Sequence, residues 1–262
     1  MADALPLSGR IAIVTGAARG IGRSVAIHLA SLGASLGASL ILGDSSDSPS
    51  AEQLAAELNA SPVNPPRVVA LRVDVSDAGD VKSHFNAAES AFGCRAHIVV
   101  SCAGICDEKY LSLAETSNEV WERTFAVNAR RDFLCCREAA NRLVRGGEGR
   151  IVCFSSSEVG GLPPGYGACV ASKAAVEVMV RELAKELKGT GITANCVAPG
   201  SVKTPMCYEG KSDEVVQSTL EEGPMGRLGE VEDIAPVVGF LCTDGGGWVN
   251  WQVVRVNGGY MI

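Results

Sequence analysis

Long apolar runs are missing from this chain. No stretch of about 18 consecutive apolar residues occurs, so no transmembrane helix is expected. The opening MADALPLSGR has neither a basic n-region nor a long apolar h-region, so no secretory leader is expected and a cytoplasmic location is. Positive charge is short as well. Lys and Arg number 23 against 30 Asp and Glu, a net charge of -7, which argues against a nucleic-acid partner. Histidine is scarce: His28, His84 and His97 have no Ser/Asp or ligand spacing around them, and each is read as structural or surface. None of the ten cysteines belongs to a CxxC pair or a Cys/His cluster, so no metal is expected. They sit mostly in apolar runs (Cys135-Cys136, Cys153, Cys196, Cys242) and read as small buried hydrophobes in a reducing compartment.

What is present suits one globular unit. The 262 residues, 47% hydrophobic and 20% charged, can bury a full core as a single domain over 1–262. Strands are expected at 10–15, 40–43, 68–73, 98–104, 150–154, 192–197 and 252–256. Helical periodicity falls at 23–32, 50–60, 78–92, 116–145, 174–187 and 230–242. This alternation predicts a single-domain α/β fold, a Rossmann-type doubly wound parallel sheet flanked by helices. Its site should lie at the carboxyl ends of the strands.

The first strand runs into Thr15-Gly16-Ala-Ala-Arg19-Gly20-Ile21-Gly22 and then a helix. Strand, glycine loop and helix is the context in which such a pattern marks a dinucleotide site. Glycines let the backbone approach a pyrophosphate, and the helix N-terminus offers it N–H groups and positive potential. Leu32-Gly-Ala-Ser35 then repeats as Leu36-Gly-Ala-Ser39. Four residues are about one helical turn, so the repeat is expected to lengthen the helix end or the loop before a strand at 40–43. Further on, a serine cluster at Ser155 follows the apolar run 150–154, and a Gly/Pro loop leads to Lys173 in a helix. That combination sets up a polar site at a sheet edge.

These motifs, in this order, closely resemble the short-chain dehydrogenase/reductase family over essentially the whole chain. The character is nearest to its NADPH-dependent aldehyde and ketone reductases. The resemblance implies an NADP(H) or NAD(H) cofactor held by Gly16, Arg19, Gly20, Ile21 and Gly22, and by Asp44 and Ser46. It adds Asp74 and Val75 at the adenine, Ala103 and Gly104 in mid-site, and Lys173, Pro199, Gly200, Val202 and Thr204 towards the nicotinamide. Arg19 and Ser46 match positions that hold the 2′-phosphate of NADP. Asp44 would bind ribose hydroxyls and repel that phosphate, so both cofactors stay open. A lid at about 205–228 over a small-molecule substrate and a homo-oligomer (dimer or tetramer) are implied too. Neither a nucleic acid nor a membrane is expected as a partner.

Several positions depart from the pattern. The family's Asn-Asn-Ala-Gly is spelled Ser101-Cys102-Ala103-Gly104, which implies weaker support for the central sheet. Arg130-Arg131-Asp132 places charge where relatives carry small residues. Trp251 replaces a glycine, and its ring is expected at a subunit contact or near the substrate pocket. The largest departure concerns catalysis. The resemblance implies that Asn128 positions a water, Ser156 holds the substrate oxygen and Lys173 binds the ribose and tunes an acid. That acid, a tyrosine, should stand thirteen residues after Ser156 and four before Lys173; Cys169 stands there.

Three accounts of Cys169 stay open. The thiol acts as acid or base, its free pKa of about 8.5 lowered by a lysine cation. Alternatively Tyr166, about one helical turn earlier, swings in. Or redox catalysis is lost, and the fold serves a non-redox rearrangement (cyclase or isomerase type) or cofactor binding. The first is preferred: an NAD(P)(H)-dependent oxidoreductase of a small carbonyl or imine-like compound, with atypical proton transfer.

Overall fold

The computed structural model describes residues 5–40, 51–60, 68–72 and 77–261. In chain order the elements are β1 (Ile11–Thr15), α1 (Gly20–Ser31), β2 (Ser35–Leu40), α2 (Ala51–Asn59), β3 (Val68–Arg72), α3 (Ala78–Phe92) and β4 (Ile98–Ser101). There follow α4 (Asn118–Phe125), a π-helical turn (Ala126–Arg130), α5 (Arg131–Arg142), β5 (Arg150–Phe154), α6 (Glu158–Gly161) and α7 (Gly167–Glu186). The chain closes with β6 (Thr193–Pro199), α8 (Pro205–Tyr208), α9 (Asp213–Glu222), α10 (Val231–Cys242) and β7 (Val253–Val256). The strands form one sheet in the order β3-β2-β1-β4-β5-β6-β7, every neighbouring pair parallel. The order reverses between β1 and β4, where an open α/β sheet leaves a crevice for ligands.

Successive strand side chains point to opposite faces. Ala12 and Val14, Ile98 and Val100, and Val152 and Phe154 meet Val25 and Leu29 of α1 and Ile234, Val238 and Leu241 of α10. Ile11 and Ile13, Val99, Ile151 and Cys196 meet the other layer, Val81 and Phe85 of α3, Leu134 of α5 and Val176 and Val180 of α7. Both faces are covered, which is why these strands read as unbroken apolar runs. Fully burying one such side chain contributes roughly 1.5–3 kcal/mol. Cys135, Cys136, Cys153, Cys196 and Cys242 are buried free thiols. Among the described residues no helix is long and apolar enough to cross a membrane.

Four expectations are corrected. The repeat does not lengthen α1 or its loop. The helix stops at the first copy, where Gly33 takes φ +95°. Gly33 N–H then donates to Ala30 O (2.9 Å) and Ala34 N–H to Leu29 O (3.1 Å), the paired bonds of a Schellman stop. The second copy therefore lies within β2, paired with β1 and β3, and positions 41–43 of the expected strand fall outside the described residues. Helix α7 begins at Gly167 rather than 174, which puts Cys169 and Lys173 one turn apart on the same helix.

The central sheet is not more weakly supported, because Arg131 and Asp132 turn inward. Both are fully buried and paired at 3.0 Å, and Ser101 Oγ donates to Asp132 Oδ1 at 2.5 Å. The central sheet is thus supported from β4 by a serine–carboxylate–guanidinium chain. A buried ion pair loses about 3–5 kcal/mol when one partner is removed. Trp251, finally, is not near the substrate pocket. It sits before β7 at φ +66°, with Lys185 Nζ of the α7 C-terminus 5.0 Å from its ring centroid. That is the opposite end of the sheet from the site.

Candidate active site

The glycine loop is built around contacts that exclude side chains. A Cβ on Gly22 would stand 2.1 Å from Gly16 O, and one on Gly16 would stand 2.9 Å from the Ala103 backbone. Gly16 also takes φ +70° and Gly20 φ +55°, the region L side chains avoid. The loop thus lies directly on the β4 turn, with Ile21 packed into the core beneath it. From the far side Thr204 Cγ2 would lie 3.4 Å from a Cβ on Gly20. No side chain caps α1, and its first turn holds no acid, so its N-terminal donors and positive potential are left for an anion. These residues fit a dinucleotide.

Pro199 O accepts from Ser157 N–H (2.9 Å), Gly200 N–H donates to Val256 O (3.1 Å), and Val202 is buried. This turn and Gly16, Arg19, Gly20, Ile21, Gly22, Ala103 and Gly104 therefore converge on the crevice. Arg19 also lies 3.9 Å from Glu209, in the segment expected to form a lid. Asp44, Ser46, Asp74 and Val75 fall outside the described residues.

The positions expected to be catalytic also converge. Asn128 is fully buried in the π-helical turn. Its amide clamps the β4 loop: Oδ1 accepts from Ile105 N–H and Nδ2 donates to Ile105 O, both at 2.9 Å. Nδ2 also reaches Ser172 Oγ at 3.0 Å, and Ser172 donates to Cys169 O at 2.6 Å. Lys173 Nζ donates to Phe154 O at 2.7 Å, which uses one of its three donors and leaves others for a ribose. A Cβ on Gly104 would lie 3.4 Å from both Lys173 Nζ and Asn128 Oδ1, so the glycine admits both side chains. Half-buried Ser156 accepts from Glu158 N–H at 3.2 Å.

The Cys169 thiol lies 3.8 Å from Ile105 O. Its pKa is below the ordinary thiol value, first because of the neighbouring Cys106 thiol, against the opposing effect of burial, and with help from the Lys173 charge. Cys106 is pushed the other way, first by the Cys169 thiol and then by burial. Both thiols line one small cavity with Asp107, Leu111, Thr116 and Tyr166. Tyr166 is not on the helix but caps it. Its ring lies tilted by 44° against that of Tyr110, with centroids 4.8 Å apart, and burial raises its phenol to about 12.

Sequence reasoning passed over Cys106, Tyr110 and Lys211. Tyr110 donates to Glu209 O at 3.0 Å, and Lys211 Nζ stands 5.6 Å from the centroids of both tyrosine rings. The expected lid region contains α8 and α9 and is thereby tied to the site. A cavity of about 180 Å³ lies between its Met225–Leu228 end and the Gly200–Val202 turn. The only signal for Cys106 was its place two residues beyond Gly104.

Fold and site together define a dinucleotide-dependent α/β oxidoreductase. A family model described as enoyl-(acyl carrier protein) reductase matches residues 16–261. An Arabidopsis thaliana protein named "NADPH-dependent aldehyde reductase-like protein, chloroplastic" is 53% identical, over 98% of this chain and 96% of its own length. A Picea abies "short-chain type dehydrogenase/reductase" is 52% identical over 97% and 93%. A solved structure from Burkholderia cenocepacia with bound NADP has a TM-score of 0.86 at 26% identity, covering 100% of this chain and 97% of that one. The chain belongs to the short-chain dehydrogenase/reductase family, whose members use NAD(P)(H).

Proposed function

We propose that this chain is an NADPH-dependent reductase of small aldehydes and related carbonyl or imine-like compounds, with the proton delivered through Cys169 instead of a tyrosine. One observation carries the reading: Ser156, Lys173 and Asn128 are retained around a thiol of lowered pKa. The name of the Arabidopsis relative supports NADPH and the aldehyde class. Bound NADPH supplies the hydride. Ser156 Oγ, at the end of β5, donates to the substrate oxygen. Lys173 holds the ribose while anchored to Phe154 O, and its charge favours the Cys169 thiolate over the thiol. A thiol reaches less far than a phenol, so Cys169 passes its proton through one water. An iminium, which needs no proton at the reacting carbon, is the substrate least affected by that detour.

The test is NADPH oxidation followed against a panel of aldehydes, ketones and cyclic imines. Turnover of at least one class is expected. Tight NADPH binding with no turnover of any class overturns the reading, and product formed without NADPH consumption supports a non-redox enzyme on the same scaffold. A homo-oligomer and a cytoplasmic location belong to the proposal as well. Light scattering decides the first. Imaging of a tagged chain decides the second, for which the chloroplastic name of the Arabidopsis relative is the competing outcome.

A further inference from the structure

After β7 the chain reads Asn257-Gly258-Gly259, and the amide of Asn257 joins several segments. Its Nδ2 donates to Ser157 Oγ at 3.0 Å and to Met261 O at 2.8 Å, and its Oδ1 accepts from Gly259 N–H at 3.1 Å. Ser157 is fully buried, and its one hydroxyl proton goes to Ala198 O at 3.0 Å. The hydroxyl then has only acceptor sites left, so the group facing it has to donate. That fixes the orientation of the amide. The same residue packs on the Pro199–Gly200 turn: a Cβ on Gly200 would stand 2.8 Å from Asn257 Cβ. Gly258 and Gly259 take φ +62° and +85°. A Cβ on Gly258 would lie 3.1 Å from Met225 Cγ, and one on Gly259 would lie 3.1 Å from Pro224 Cγ. The glycine pair is thus a seat for the end of the 205–228 segment, on whose other side lies the cavity of about 180 Å³.

We propose that Asn257 is a positioning residue of the active site, which holds Ser156 in place through Ser157 and seats the Pro224–Met225 end of the 205–228 segment through Gly258 and Gly259. This role presupposes the proposed reading, in which Ser156 holds the substrate oxygen. Ser157 is the residue after Ser156, and its N–H is bonded to Pro199 O at 2.9 Å. With backbone and side chain of Ser157 both held, the end of β5 cannot shift against the Pro199–Gly200 turn without breaking a buried bond. A misplacement of about 1 Å at a reacting centre can cost about 10²-fold in rate, so a bond made one residue from Ser156 is read in kcat. The second arm of the amide keeps the glycine turn closed through Gly259 N–H. Removing the side chain therefore loosens the β5 end and the segment end together, although the two are far apart in sequence.

The full chain is compared with Asn257→Ala, Ser157→Ala and the double variant. In NADPH oxidation with an aldehyde that the unaltered chain reduces, Asn257→Ala is expected to lower kcat by about 10–10²-fold with the NADPH dissociation constant unchanged. The kcat of the double variant should be no lower than that of Ser157→Ala. Such non-additivity marks one residue acting through another, and a general loss of stability does not produce it. Two effects on kcat that multiply overturn the proposal. Hydrogen exchange of the cofactor-free chain, read by mass, is independent of turnover. In Asn257→Ala the segments 155–161 and 223–228 should both exchange faster and 16–22 should not; in Ser157→Ala only 155–161 should. Faster exchange confined to 257–261, or spread alike over all segments, overturns the proposal. Asn257→Ser keeps a turn-forming acceptor but is too short to reach Ser157. It replaces Asn257→Ala if that variant does not fold, with faster exchange expected at 155–161. If the unaltered chain reduces no aldehyde, the proposed reduction fails and the exchange pattern alone decides the positioning role.

Discussion

In the Gly16–Gly22 loop the backbone carries the function, and side chains are kept out by contacts as short as 2.1 Å. In the first turn of α7 the proposed function rests on a side chain. Cys169 faces a cavity while its own backbone is held by Ser172 and the helix. The two regions lie at the same end of the sheet but respond to substitution in opposite ways. A change in the loop disturbs β1, β4 and α1 together, so it damages fold and cofactor site at once. On the proposed reading, a change at position 169, on the wall of a cavity, acts first on the proton chemistry.

The largest expected effect lies in the loop. Gly22→Val should abolish dinucleotide binding, measured by calorimetry or NADPH fluorescence, because its Cβ has no room beside Gly16 O. Retained binding would break the comparison. Next comes Cys169→Tyr, which should raise carbonyl reduction by about 10²–10⁴-fold, the usual worth of a general acid, with NADPH affinity unchanged. No gain would mean that the cavity, and not only one side chain, has departed from the family.

The smallest effect sharpens the α7 side. The pKa of Cys169 is lowered, so its thiolate appears, and iodoacetamide alkylation of it begins, at a lower pH than for an ordinary thiol. Cys106→Ala removes the first cause of that lowering and should move the profile back up. A profile that ignores Cys106 would sink the thiol-pair description.

Much of this was legible in the residues. Strands buried on both faces have to be apolar throughout, so Ile11–Thr15, Ile98–Ser101 and Arg150–Phe154 stand out without any fold in hand. The glycine spacing and the Ser156–Lys173 spacing were legible because they are local: one turn or one helix sets them. The repeat at Leu32–Ser39 was misread because either copy can precede a strand, and only the Schellman bonds at Gly33 and Ala34 choose the first. The support of the central sheet was misread because helix position alone does not say that Arg131 and Asp132 face β4. Ser101, thirty-one residues away from Asp132, supplies the partner.

The sequence by itself determined the α/β alternation, the glycine cradle and the substitution at position 169, since each is written in neighbouring residues. Only the tertiary structure decided what surrounds that substitution. The strand order β1-β4-β5 brings the loop after β4 against the start of α7, and so sets Cys106 against Cys169. The contact of the Cys169 thiol with Ile105 O, across sixty-four positions of chain, leaves no periodic trace in sequence. It exists because the sheet fixes both elements to one edge.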